Sequence, residues 1–168
     1  LIQGDVGSGK TIVAFIAMAV MAENGYVSAI MAPTEVLARQ HYVKFMKMTE
    51  SLGLDIPCVL LTGHVKGKAR TAALEEIASG RPMLVIGTHA LFQEKVEFHN
   101  LGLVITDEQH RFGVKQRESL SSKGEAVFSI VMSATPIPRT LAMIVYQGLN
   151  ISTITEKPSV RKPLKNAL

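Results

Sequence analysis

Gly4, Gly9, Lys10 and Thr11 fall at the spacing G-x-x-x-x-G-K-S/T within the stretch GDVGSGKT. Glycines at that spacing let successive backbone N–H groups turn inward around a phosphate. A lysine placed there reaches β- and γ-phosphate oxygens, and a threonine hydroxyl can join the shell of a magnesium ion. The candidate phosphate-binding loop is therefore Gly4, Asp5, Val6, Gly7, Ser8, Gly9, Lys10 and Thr11. A chance glycine-rich turn is the bland alternative, and the setting between an apolar run and a helical one speaks against it. Asp107 and Glu108 follow the apolar run Leu103 to Thr106. Asp107 can hold magnesium through its water shell, and Glu108 can orient or deprotonate an attacking water. Taken alone, two acids after a strand are more often a cap or an exposed turn. Paired with the loop, Lys10, Asp107 and Glu108 become the candidate catalytic groups, and Thr11 with Asp107 the candidate metal site. Ser133 and Thr135 end another apolar run, where two hydroxyls could bridge the acidic pair to a neighbouring site or simply satisfy local backbone.

These groups need a scaffold, and the pattern of runs supplies one. Apolar, β-branched runs end at Gln3, Ala32, Leu61, Ile86, Thr106 and Met132. Helices are expected over roughly Lys10 to Ala22, Glu35 to Ser51, Lys66 to Ser79, Arg111 to Leu120 and Arg139 to Gln147. Pro33-Thr34 introduces the second helix, and Gly53 and Gly80 lie just past the second and third. Alternation of this kind implies right-handed crossovers and a doubly wound, mostly parallel α/β sheet with helices on both faces. GDVGSGKT, PTE, TGH, GTH, DEQH and SATP then all begin at carboxyl ends of strands, along the one edge where open α/β sheets bind ligands. Leu1 to Gln3 is short for a core strand, typically about five residues. The chain starts at Leu1, not Met, and a start excised from something longer is the expectation. Residues 1–155 read as one domain ending in a short strand at Ile151 to Ile154, and 156–168, with Pro158 and Pro163 among basic residues, as a linker.

The 168 residues are 47% hydrophobic and 19% charged, a globular composition and not that of a disordered tail. Ile12 to Ala22 is the longest apolar run and is far shorter than the ~20 residues a bilayer span needs. Cys58 is the single cysteine, which excludes an internal disulfide and fits a reducing cytoplasm. No His and Cys group has zinc-ligand spacing. A formal charge of +4 permits contact with nucleic acid without demanding it. Lys66, Lys68 and Arg70 could add attraction or be a solvated helix face. His41, His64 and His99 read as surface or core histidines, and Met18, Met21, Met46 and Met48 as helix packing.

GDVGSGKT, APTEVLARQH, LTGH, IGTHALF, DEQHRFGVKQRE and MSATPIPRT occur in the order of the first motor-domain motifs of superfamily 2 helicases and resemble them over nearly the whole chain. DEQHRFGV with SATPIPRT resembles most the RecG family of branched-DNA helicases. The motor of the transcription-repair coupling translocase is the next most similar, with a different acidic signature. The resemblance implies a RecA-like P-loop NTPase fold, ATP and Mg2+ as cofactors, and a double-strand DNA translocase acting on stalled forks and Holliday junctions. It implies that Gln109 and His110 sense the γ-phosphate and relay its state toward Ser133 and Thr135. It also implies that Pro33, Thr34, Arg39, Gly63, Thr88 and His89 face the DNA backbone, where short polar side chains and N–H groups hold phosphates without reading sequence.

Phosphoryl transfer in such motors takes an arginine from a second lobe or subunit. Arg111, Arg117 and Arg139 are not at that position in the resembling family, so a second motor lobe and a fork-recognition domain in cis are the expected partners. By itself the lobe is expected to bind ATP weakly and hydrolyse it poorly. Two other classes remain at this point: a non-hydrolysing nucleotide-dependent interaction module, and a transport or metabolic P-loop enzyme, which leaves PTE, TGH, GTH and SATP unexplained.

Overall fold

The computed structural model describes residues 1–93, 95–107, 127–134 and 150–155. Seven strands form one sheet in the order β3-β4-β2-β5-β6-β1-β7. They are β1 Ile2–Gly4, β2 Val27–Met31, β3 Cys58–Leu61, β4 Met83–Gly87, β5 Leu101–Asp107, β6 Phe128–Ser133 and β7 Ser152–Ile154. Every described pair is parallel. Every residue of β2, β4 and β5 is buried. That explains their unbroken apolar runs: a strand covered on both faces has no solvent side on which to alternate.

Three helices enclose this centre, α1 Lys10–Glu23, α2 Glu35–Ser51 and α3 Gly67–Ala78, with a 3-10 turn at His89–Phe92. Side-chain alternation along the strands separates two cores. Ile30, Leu84, Ile86, Leu103 and Ile105 pack on Phe15 and Met18 of α1 and Ala38 and Phe45 of α2. Val27, Ala29, Met31, Val85 and Val104 pack on Ala73 and Ile77 of α3 and on Leu91 and Phe98. Helices on both faces make the fold doubly wound, as the alternation of runs required.

Element boundaries agree with the expected ones to within a residue or two. Gly53 and Gly80 have φ of 65° and 69° just past α2 and α3, the left-handed termination that glycine provides at least cost. The residues of β1 pair on both sides, Ile2 with Met132 of β6 and with Ser152 of β7. The strand expected at Ile151 to Ile154 is the edge strand β7, whose Ser152 N donates to the Leu1 carbonyl at 2.8 Å. One packing expectation is corrected: Met18 is fully buried, but Met46 is 45% exposed on the outer side of α2. The helices expected at 111–120 and 139–147 and the linker at 156–168 lie outside the described residues.

Candidate nucleotide site and polar rim

The loop after β1 is built to close tightly. A Cβ on Gly4 would run into the Ser8 hydroxyl and sit 3.2 Å from Cβ of Ile154. Gly7 and Gly9 hold φ of 80° and 97°, which L side chains rarely adopt. Gly9 is also the N-cap of α1 and offers no side-chain cap, so the first N–H groups of the helix remain available to an anion. Lys10 is 9% exposed, and its Nζ donates to the carbonyls of Gly4 at 2.6 Å and Asp5 at 2.9 Å. The ammonium is thus held over the loop by backbone dipoles. Thr11 is half-buried beside it, while Asp5, Val6 and Gly7 are exposed. The Ser8 hydroxyl is buried without a hydrogen-bond partner, an orphan that a phosphate oxygen would satisfy.

Asp107 ends β5 and is 9% exposed. One strand, β6, stands between it and β1, so the carboxylate and the loop share an edge at a strand-to-strand distance of about 10 Å. Ser133, 2% exposed, ends the intervening β6 and pairs in register with Gln3, next to the loop. The Asp107 carboxylate has a partner that sequence reasoning missed: His41 Nε2 lies 2.8 Å from Asp107 Oδ2. His41 is buried, as one of the readings of it allowed, but its partner is 66 positions away and no local pattern could have named it. Glu108, Gln109, His110 and Thr135 lie outside the described residues.

The carboxyl ends of β3, β4 and β2 form the other half of the edge. Thr34, Gly63 and His89 are exposed there, Pro33 is half-buried, and Thr88 is 4% exposed. Thr34 caps α2, its Oγ1 accepting from Leu37 N at 3.3 Å. The hydroxyls of Thr62, Thr88 and Thr106 are buried without a partner. Arg39 is not a free cation: Nε and Nη2 donate to Glu35 Oε1 at 3.0 and 2.8 Å. His64 pairs with the other oxygen of Glu35. Some desolvation pushes the Glu35 carboxyl upward, but the Arg39 hydrogen bond and the His64 charge outweigh it and hold the group below the usual glutamate value. Arg70 donates to Gln93 Oε1 at 2.6 Å and keeps its charge on an exposed stretch, which is compatible with either reading of it. Lys44 and Lys47, which sequence reasoning passed over, join Arg39, Val36, Gln40 and Val43 around a groove of about 590 Å³ on the outer side of α2.

Among the described residues no group of three or more His, Cys, Asp or Glu could enclose a metal. An ion bridging Thr11 and Asp107 would take its other ligands from water and phosphate, which is the habit of Mg2+. No described helix is long and apolar enough to cross a membrane.

Comparison with known proteins agrees with this geometry. The DEAD/DEAH box helicase family model matches residues 1–144. The ATP-dependent DNA helicase RecG of Pasteurella multocida is 54% identical over 168 residues, covering 98% of this chain and 24% of the relative. The chain thus spans about a quarter of the length of the curated relatives it matches. A structure of RecG bound to a three-way DNA junction superposes with a TM-score of 0.80 at 44% identity, over 96% of this chain and 21% of that one. Mss116p, bound to single-stranded RNA and AMP-PNP, shares the fold at a TM-score of 0.70 and 22% identity, over 93% of this chain and 37% of that one. The chain belongs to the DEAD/DEAH box helicase family, with the fold of a RecG-like first motor lobe.

Proposed function

We propose that this chain is the ATP-binding motor lobe of a RecG-type DNA helicase or translocase that remodels replication forks and Holliday junctions in recombination and repair. The observation that carries the reading is the shared edge: a phosphate loop after β1 and a buried carboxylate at the tip of β5, with β6 between them. The partition at residue 155, with a linker over 156–168 leading to a second motor lobe, belongs to the same proposal, as does action in the cytoplasm.

In this reading Gly4 through Thr11 wrap the ATP phosphates, and Lys10 exchanges its two loop carbonyls for phosphate oxygens. Thr11, and Asp107 through water, would hold Mg2+, and the ion would supply charge neutralisation at the phosphates. Glu108 orients the attacking water. Gln109, His110, Ser133 and Thr135 pass the γ-phosphate state along the edge. Pro33, Thr34, Arg39, Gly63, Thr88 and His89 meet the DNA backbone, and Lys44 and Lys47, which line a groove with Arg39, add their own attraction for phosphate.

The deciding measurement is ATP hydrolysis by the complete protein with branched and plain duplex DNA. Branched DNA is expected to stimulate more, and Glu108→Gln to abolish single-turnover cleavage while nucleotide still binds. Equal stimulation by both DNAs would remove the RecG assignment. Full cleavage by the Gln variant would remove the role given to Glu108. Nucleotide-dependent partner binding with no cleavage at all would favour an interaction module instead.

A further inference from the structure

The carboxylate at the tip of β5 is fastened from outside its own strand. His41 Nε2 and Asp107 Oδ2 are 2.8 Å apart, with side-chain exposures of 9% and 13%. An ionised carboxylate only accepts hydrogen bonds, so Nε2 carries the hydrogen and donates it. The ring has little freedom to leave. Its centroid lies 5.8 Å from that of Phe45, and Phe45 packs at 5.4 Å on Phe15 of α1, both phenylalanines being fully buried. Swinging His41 away would give up its packing on Phe45.

Position on the helix gives this contact a second consequence. His41, Ala38 and Phe45 form the buried side of α2. The same helix begins at the Thr34 cap and carries Arg39 on its exposed side. β2, which leads into α2, is the direct neighbour of β5. A rigid element therefore runs from the polar half of the edge to the carboxylate of the nucleotide half.

We infer that His41 is a positioning residue for Asp107: its Nε2–H holds Oδ2, presents Oδ1 to a metal-bound water, and couples the carboxylate to movement of the DNA-facing end of α2. The inference rests on the proposed ATP-hydrolysing, DNA-stimulated reading. Partners that orient a metal-linked carboxylate from behind are worth roughly 10- to 100-fold in metal affinity or activity. A merely structural histidine would instead be replaceable by a ring of similar size, without effect on the metal.

The test uses the complete protein with His41→Phe, which keeps an aromatic ring, and His41→Gln, whose amide nitrogen donates from nearly the same place. Equilibrium binding of a fluorescent ADP analogue is titrated with Mg2+ and repeated in EDTA, and DNA-stimulated hydrolysis is followed over the same Mg2+ series. The Phe variant is expected to need about 10- to 100-fold more Mg2+ in both titrations. Its binding in EDTA is expected to be unchanged, and the Gln variant to recover most of the loss. An unchanged Mg2+ requirement in the Phe variant overturns the inference. So does an equal loss in EDTA that Gln does not rescue and that accompanies a lower melting temperature. If the unaltered protein shows no DNA-stimulated hydrolysis, the functional reading fails, and the Mg2+ dependence of binding still decides the role of His41.

Discussion

The two halves of the ligand-bearing edge are stabilised in opposite ways. Around the phosphate loop the contacts are local: Lys10 bonds to carbonyls five and six positions away, and backbone shape is set by Gly7 and Gly9. At the ends of β3, β4 and β2 one contact reaches further, since Glu35 at the start of α2, paired locally with Arg39, also meets His64 of the loop before α3. The first half is, on the proposed reading, a preformed receptor for an anion. The second is a set of side chains already occupied with one another, with Thr62 and Thr88 hydroxyls left over. Ligand binding should therefore cost the first half two hydrogen bonds to Lys10 and cost the second a rearrangement of ion pairs.

The largest effect is expected where the preformed half loses its charge. Lys10→Ala removes the group that would meet the developing phosphate charge, and a single preorganised donor of that kind is worth about 10²–10³ in rate. Steady-state ATPase of the complete protein is the measurement. A loss of less than tenfold would mean that the loop does not rely on its lysine, and the contrast between the halves would collapse. Folding is expected to survive, since the lysine bonds only to two carbonyls that lie next to solvent-exposed loop residues.

Next in size is a break in the sheet beneath the polar half. A Cβ on Gly87 would strike the Leu61 carbonyl and sit 2.8 Å from Cγ of Leu91. Backbone cannot retreat from a neighbouring strand, so Gly87→Ala is expected to cost about 1–3 kcal/mol in urea denaturation, as overpacking does. Weakened DNA binding with unchanged nucleotide binding would sharpen the division of the edge. Equal weakening of both would blur it.

The same contrast explains what could be read in the chain. The loop was legible because its chemistry is contiguous, Gly4 to Thr11, and its glycines and lysine leave few alternatives. The parallel order was legible because β2, β4 and β5 are apolar throughout, as strands buried on two faces must be. His41 was not, since a histidine in an amphipathic helix looks the same whether it faces a phenylalanine or a carboxylate. Its partner depends on β2 and β5 being neighbours, which the strand order decides and no local spacing reveals. The ion pairing of Arg39 was illegible for a related reason. Its neutralising partner at i−4, Glu35, was in plain view, but the His64 contact that fixes Glu35 comes from another loop.

Two threonines of the polar half allow a finer cut. Thr34→Ala removes a hydrogen-bonded N-cap and is expected to cost about 1 kcal/mol of stability. Thr88→Val removes a buried hydroxyl that has no partner, so stability should be unchanged or slightly raised, because only an unpaired polar group is lost. If Thr88 meets DNA, its valine variant should bind duplex DNA a few-fold more weakly despite that stability. Intact DNA binding would leave the orphan hydroxyl without a ligand role and shift contact to the exposed residues Thr34, Arg39, Gly63 and His89.

The smallest effect concerns Glu35, and its sign separates stability from binding. Because the folded carboxyl is held below its ordinary value, its contribution to stability is present above the unfolded glutamate range, near about pH 4.3, and is lost as pH falls through the folded value. Glu35→Gln should therefore melt slightly below the unaltered protein at pH 7 and match it in acid. Added salt should narrow the gap, since its partners Arg39 and His64 are exposed and the ion pairs are screened. Binding should move the other way. Freed from Glu35, Arg39 can reach a phosphate without first breaking two hydrogen bonds, and duplex affinity at neutral pH should rise. A fall in both stability and affinity would instead make Glu35 part of the surface that DNA requires, its ion pairs organising Arg39 for the phosphate and not competing for it.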